Sequence, residues 1–155
     1  MKKMAVLTSG GDAPGMNTAI RSIVKTSIHY SFIPIVIRDG FEGLIQGWGK
    51  PFSYIDVENI IHLGGKVLGS ARSKNFRIKE GRQKAIDFLK NENVEGLVVI
   101  GGDSSFAGAR ALLSESGIAI IGLPGTIHES IDKSSKANLE KEAILIKLLR
   151  GSTSK

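Results

Sequence analysis

The sequence predicts an α/β fold: a doubly wound, mainly parallel sheet with helices on both faces. Three observations predict it. Four short apolar runs, MAVLTS (4–9), IPIVIRD (33–39), LVVIG (97–101) and IAIIGL (118–123), are β-branched and continuous rather than alternating. Strands buried on both faces of a parallel sheet read this way. Helical patterns lie between the runs, which implies right-handed crossovers. The Gly-rich stretches follow the ends of the runs, and in such sheets ligands sit beyond the carboxyl ends of the strands.

The elements follow in order. MKKMAVLTSGG superficially resembles a signal peptide, but its apolar run is too short, and it reads as a first strand. Met16 to His29 carries Ile20, Val24 and Ile28 at helical spacing. After the second strand, residues 40–78 read as Gly-rich and irregular, with one short helix near Val57–His62. A connection this long inside a compact domain is usually functional or disordered. Glu80 to Lys90 is a second helical pattern, with Ala85, Ile86 and Leu89 inward, and it leads into the LVVIG strand. Phe106 to Leu113 is a third, stopped near Gly117, before the last strand. Residues 1–131 are expected to form one lobe. Asp132–Lys155 is expected to be a degenerate helical tail with an amphipathic stretch at Ala143–Leu149 and a frayed GSTSK end.

Composition bounds the function. A chain of 155 residues suits one domain with a core of its own. The absence of cysteine excludes disulfides, Cys-ligated zinc and a thiol nucleophile, and it suits a cytoplasmic protein. No apolar stretch approaches about 18 residues, so no membrane span is expected. The net charge of +6 fits nucleic acid or an anionic small molecule. The bases are scattered, with no basic run and no aromatic–basic alternation, which argues against nucleic acid.

Three stretches carry candidate chemistry. Gly10-Gly11-Asp12 sits at a strand–helix turn, where glycine admits a phosphate close to the backbone and the helix offers free N–H groups. The alternative is a tight turn with Asp12 as the helix cap. Gly101-Gly102-Asp103-Ser104-Ser105 repeats the arrangement. Asp103 there could hold Mg²⁺ through one carboxylate, or could cap a helix, as could Ser104 and Ser105. Neither turn matches the P-loop or the dinucleotide fingerprint. Arg72, with Arg77 nearby, lies on the Gly-rich segment and suits a planar fork to phosphate oxygens, or is simply a solvated base.

Together LTSGGDAPGMN, GGKVLGSAR, LVVIGGDSS and GLPGTI, in this order and spacing, resemble the bacterial ATP-dependent 6-phosphofructokinase family over about residues 3–127. The resemblance implies the nucleotide-binding lobe of that family, with ATP and Mg²⁺ as cofactors. Gly11 would lie against the ATP phosphates, and Arg72 and Ser73 would reach them. Gly102, Asp103, Ser104 and Ser105 would line the nucleotide, with Asp103 serving the metal. Thr126 would contact the sugar phosphate or the transferring group. Gly125 resembles the ATP-using branch, since the pyrophosphate-using branch usually has lysine there. Arg21 and Lys25 match basic positions of the family's allosteric nucleotide site, where Tyr54 replaces a usual arginine.

The family reaction moves the γ-phosphoryl of Mg·ATP to the 1-hydroxyl of fructose 6-phosphate, in glycolysis. Where the family carries Asp-Asn-Asp after Pro-Gly-Thr-Ile, this chain has His128-Glu129-Ser130. His128 therefore stands at the position of the aspartate general base. Ser104 also replaces a glycine, and beyond residue 131 the match fades. The second, substrate-binding lobe is expected to be absent. The sequence thus predicts a chain that binds ATP with little or no activity alone, and that forms a homo-oligomer or associates with a related chain. Fructose 6-phosphate would bind only if the other lobe were supplied. The alternative is a non-catalytic nucleotide-binding or interaction module.

Overall fold

The computed structural model describes residues 1–11, 13 and 15–125. Asp12, Thr126, His128, Glu129, Ser130 and the whole tail, with the boundary expected at residue 131, lie outside the described residues.

Strand β1 (Lys3–Thr8) is the centre of a five-stranded sheet. It pairs in parallel with β2 (Ile33–Ile37) on one side and β4 (Val94–Gly101) on the other. Beyond β4 lies β5 (Ala119–Pro124), also parallel. Beyond β2 lies the short β3 (Gly49–Pro51), which runs antiparallel. Helix α1 (Met16–His29) follows β1, α2 (Gly40–Gln46) follows β2, α3 (Lys79–Asn91) precedes β4, and α4 (Asp103–Ser116) joins β4 to β5.

The pleat of β1 explains both layers. Met4 and Val6 face one side and pack with Met16, Ile20, Ile23 and Val24 of α1. Ala5 and Leu7 face the other and pack with Leu44 of α2, Ile86 and Leu89 of α3, and Leu112 of α4. Residues Ala5 to Leu7 are fully buried, so the run has no polar face to alternate with. The expectation of a doubly wound, mainly parallel sheet is met.

The segment read as irregular holds more structure than expected. It contains α2, β3 and two 3-10 turns, Ile55–Val57 and Asn75–Arg77. The short helix expected near Val57–His62 is replaced by the first of these turns. Val57 and Ile60 mimic a helical stripe, but they are buried because this stretch lies across α1 within the α1-side core. Helix α4 begins at Asp103, three residues earlier than the apolar pattern suggested, because its first turn is polar.

The stretch after the Ile55–Val57 turn is fastened by side chains of the β1–α1 unit. Asn17, buried in α1, donates from Nδ2 to Leu63 O at 3.0 Å, and its Oδ1 accepts from Val67 N–H at 2.9 Å. Thr8 Oγ1 donates to Gly69 O at 2.9 Å. Asn17→Ala leaves the Leu63 carbonyl and the Val67 amide without their partner. The expected cost is about 1–3 kcal/mol of unfolding free energy, read as a lower urea midpoint at unchanged slope. A loss under about 0.5 kcal/mol, the range of an ordinary surface change, would show that water replaces the amide.

Candidate functional site

The carboxyl ends of β1 and β4 lie side by side, with Thr8 opposite Ile100. Ser9 N–H continues the pairing to Ile100 O at 2.8 Å, and Gly125 N–H reaches Gly101 O at 2.9 Å. The chain must leave β1 here without running into β4. Gly10 makes the turn with φ +84°, a region where a side chain is strained. Its carbonyl accepts hydrogen bonds from Ser70 Oγ at 2.9 Å and from the Lys66 ammonium. Residues 66–70 are thereby drawn over the turn.

The second turn packs against the first. A Cβ on Gly101 would lie 2.6 Å from Ser105 Oγ and 2.8 Å from Ser9 O, so only glycine fits. Gly102 is extended and is the N-cap of α4; Asp103 is the first helical residue and makes no capping bond. The capping alternative for Asp103 is thus not what the structure has. Ser104 is exposed, and Ser105 is 2 % exposed with an Oγ that has no hydrogen-bond partner among the described residues. That hydroxyl lies beside the first turn, 3.7 Å from where a Gly10 Cβ would be. Unlike Gly101, neither Gly11 nor Gly102 has any atom within 4 Å of an added Cβ, so packing does not demand glycine at either.

A third wall comes from residues 70–77. With the two turns it encloses a cleft of about 1010 Å³. Phe41 of α2 stacks on Phe76, ring centres 4.2 Å apart and planes 25° from parallel. Gly108 of α4 lies under both rings, where a Cβ would come within 3.2 Å of Phe76 and 3.3 Å of Phe41. Ser73 Oγ donates to the Glu42 carboxylate and accepts from Phe76 N–H at 3.1 Å. The hydrogen bonds from Ser73 and Gln46 hold the Glu42 carboxyl below the usual carboxylate range. Arg82 forks onto Glu115 at 2.9–3.1 Å and donates from Nη1 to the carbonyls of Phe76 and Arg77. The same fork lowers the Glu115 pKa and raises that of Arg82.

Arg72, Lys74, Arg77 and Arg82 line the cleft, and no carboxylate does among the described residues. The guanidinium of Arg72 is exposed and has no hydrogen-bond partner among them. Such a cleft favours an anion.

Of the residues singled out from the sequence, Gly11, Arg72, Ser73, Ser104 and Ser105 line this one cleft. Gly102 and Asp103 stand at the head of α4 without lining it. Asp103 is exposed and belongs to no cluster of metal-binding side chains among the described residues, so it could offer Mg²⁺ one carboxylate and no cage. Arg21 and Lys25 are on α1, away from the cleft. Lys25 is exposed, whereas Arg21 has a buried Nε without a partner. Thr126 and His128 lie outside the described residues. Sequence reasoning missed Phe41, Phe76, Arg82 and Gly108. The aromatic pair had a signal, a phenylalanine in each of GFEG and KNFR, but both fell in the stretch read as irregular.

Comparison with known proteins agrees with this architecture. Residues 3–136 match the family described as Phosphofructokinase. The chain is 53% identical over 131 residues to the ATP-dependent 6-phosphofructokinase of Halothermothrix orenii, covering 84% of this chain and 40% of that protein. The corresponding protein of Clostridium tetani is 50% identical over the same length, with 41% of it covered. The chain therefore spans about two-fifths of the length of these curated relatives. Among solved structures, phosphofructokinase from Pichia pastoris in the T-state superposes with a TM-score of 0.77 at 34% identity, over 81% of this chain and 16% of that one. The Saccharomyces cerevisiae enzyme superposes at 0.76 and 37%, over 82% of this chain and 20% of that one. A pyrophosphate-dependent phosphofructokinase from Marinobacter aquaeolei, at 18% identity and a TM-score of 0.67 over 80% of this chain and 33% of that one, shares the fold. On the family match and the fold together, the chain belongs to the phosphofructokinase family.

Proposed function

We propose that this chain is the ATP-binding lobe of a 6-phosphofructokinase-type protein, and that alone it binds Mg·ATP with little or no transfer to fructose 6-phosphate. The observation that carries the reading is the convergence of the Gly10-Gly11 turn, Ser104 and Ser105 of α4 and Arg72 on one cleft lined by bases and by no described carboxylate. Glycine at 11, which lines the cleft and which no described neighbour requires for packing, suits close approach by a phosphate. The first N–H groups of α4 have no partner within the helix and, with the helix dipole, favour an anion. The orphaned Ser105 hydroxyl is a ready donor beside them. Arg72 adds a guanidinium fork for phosphate oxygens. Phe41, Phe76 and Gly108 give the cleft an apolar wall, which suits a flat aromatic base. Mg²⁺, when bound, would neutralise phosphate charge, and Asp103, exposed in the first turn of α4, would offer it a single carboxylate.

The sequence supports weak chemistry. Phosphoryl transfer to a sugar hydroxyl needs a positioned proton acceptor, a contribution of typically 10²–10⁴-fold. His128 and Ser130 replace the aspartates that the family resemblance implies.

Mg·ATP is expected to raise the thermal midpoint, because a ligand that binds only the folded chain stabilises it. Arg72→Ala should weaken binding with or without metal, while Asp103→Asn should remove only the metal-dependent part. No shift with millimolar ATP or ADP would reject the reading.

Ser105→Ala gives a sharper outcome. Removing a buried, unpartnered hydroxyl should leave the free chain as stable or stabilise it by up to about 1 kcal/mol, yet shrink the Mg·ATP shift. A destabilised free chain would mean that the hydroxyl serves the fold. In a coupled assay the unmodified chain should form no fructose 1,6-bisphosphate from Mg·ATP and fructose 6-phosphate. Robust turnover would overturn the second half of the proposal.

A further inference from the structure

The guanidinium of Arg72 has no partner among the described residues, so the stretch that carries it must aim it if it is to meet phosphate. Beside the backbone bond from Ala71 N–H to Asp39 O at 3.4 Å, two side-chain ties dock this stretch on α2, and they sit on adjacent residues of that helix. Phe41 stacks on Phe76. Glu42 accepts the Ser73 hydroxyl, and the Ser73 oxygen in turn accepts the Phe76 N–H at 3.1 Å. The stacking tie covers the aromatic end of the cleft; the carboxylate tie sits next to Arg72 in the chain. Gln46, one helical turn on, donates from Nε2 to the other oxygen of Glu42 at 3.0 Å. Both carboxylate oxygens are thus engaged, which fixes the Glu42 rotamer and with it the direction in which Ser73 is held. Ser73 therefore turns inward towards α2 as a hinge pin.

We propose that Glu42 is a positioning residue that, through the Ser73 hydroxyl, fixes residues 72–76 and so aims Arg72 into the cleft. The function this serves rests on the nucleotide reading above, but the hinge itself does not. An ionised carboxylate suits the task because hydrogen bonds to it are about twice as strong as neutral ones. The bond also spans 31 residues of sequence, so it ties the stretch to a helix far from it in the chain.

The test uses the full chain and two readouts. The first, free of nucleotide, is hydrogen exchange at the Phe76 amide, whose described acceptor is Ser73 Oγ. Glu42→Ala should speed this exchange, Ser73→Ala should do the same, and Glu42→Gln, which keeps an acceptor oxygen, should change it less. The second is Mg·ATP affinity by calorimetry. Glu42→Ala should weaken it about tenfold, the low end for losing a hydrogen bond to a charged group, and Glu42→Gln by no more than about threefold. In an Arg72→Ala background Glu42→Ala should weaken it no further, because the effect passes through Arg72. An equal loss in both backgrounds would show that Glu42 acts elsewhere and overturn the proposal, as would unchanged Phe76 exchange. If the wild-type chain binds no ATP, the nucleotide reading fails, and the exchange result still decides the hinge.

Discussion

The carbonyl of Gly10 accepts from Ser70 Oγ and from the Lys66 ammonium, across 60 and 56 residues of chain. Much of the cleft depends on that junction. It joins the turn after β1 to the segment that carries Arg72, and α1 departs a few residues later. Hydrogen bonds alone do not hold the segment. Each contributes about 0.5–1.5 kcal/mol net, and ordering one residue costs about 1–2 kcal/mol of backbone entropy. Val57, Ile60 and Leu68 are buried against the α1 side of the sheet, and each such burial supplies about 1.5–3 kcal/mol. Burial therefore holds the segment down. The polar contacts from Thr8, Asn17, Lys66 and Ser70 set which residues lie over the turn.

This division explains what could be read from the sequence. β1, β2, β4 and β5 were legible because strands covered on both faces need continuous β-branched runs, and little else in a chain looks like that. Helix α1 was legible to the residue from Ile20, Val24 and Ile28. Helix α2 was not, because Gly40 and Gly43 read as breakers. Gly43 is there because of a close approach: a Cβ would lie 1.6 Å from the carbonyl oxygen of Arg38, just ahead of the helix. A local rule penalises glycine in a helix and cannot see the neighbour that requires it. Strand β3 spans three residues and is defined by its pairing to β2, a contact with no sequence period.

The candidate site divides in the same way. The glycine turns could be found because the chemistry they suit is local: a turn, free N–H groups and a helix dipole within a few residues. Phe41, Phe76 and Gly108 come from α2, a 3-10 turn and α4, and only the fold makes them one surface. Ser105 stood out in the sequence as a small polar residue at a helix start, a description that also fits a cap. Burial separates the meanings. A capping hydroxyl would have a partner, and this one is 2 % exposed with none among the described residues.

The charge of the chain acquires a location through the same contacts. A net charge of +6 spread along the sequence says little about a partner, but four bases line one cleft from which described carboxylates are absent. They are not equivalent. Arg82 is committed to Glu115 and to the carbonyls of Phe76 and Arg77, so it holds the third wall in shape. Drawing it onto a ligand would release two backbone acceptors and a carboxylate together. Arg72, Lys74 and Arg77 have no such commitments among the described residues. Electrostatic attraction there can go to an incoming anion without first breaking a bond within the fold. The wall is thus built by one arginine, and its charge is presented by its neighbours.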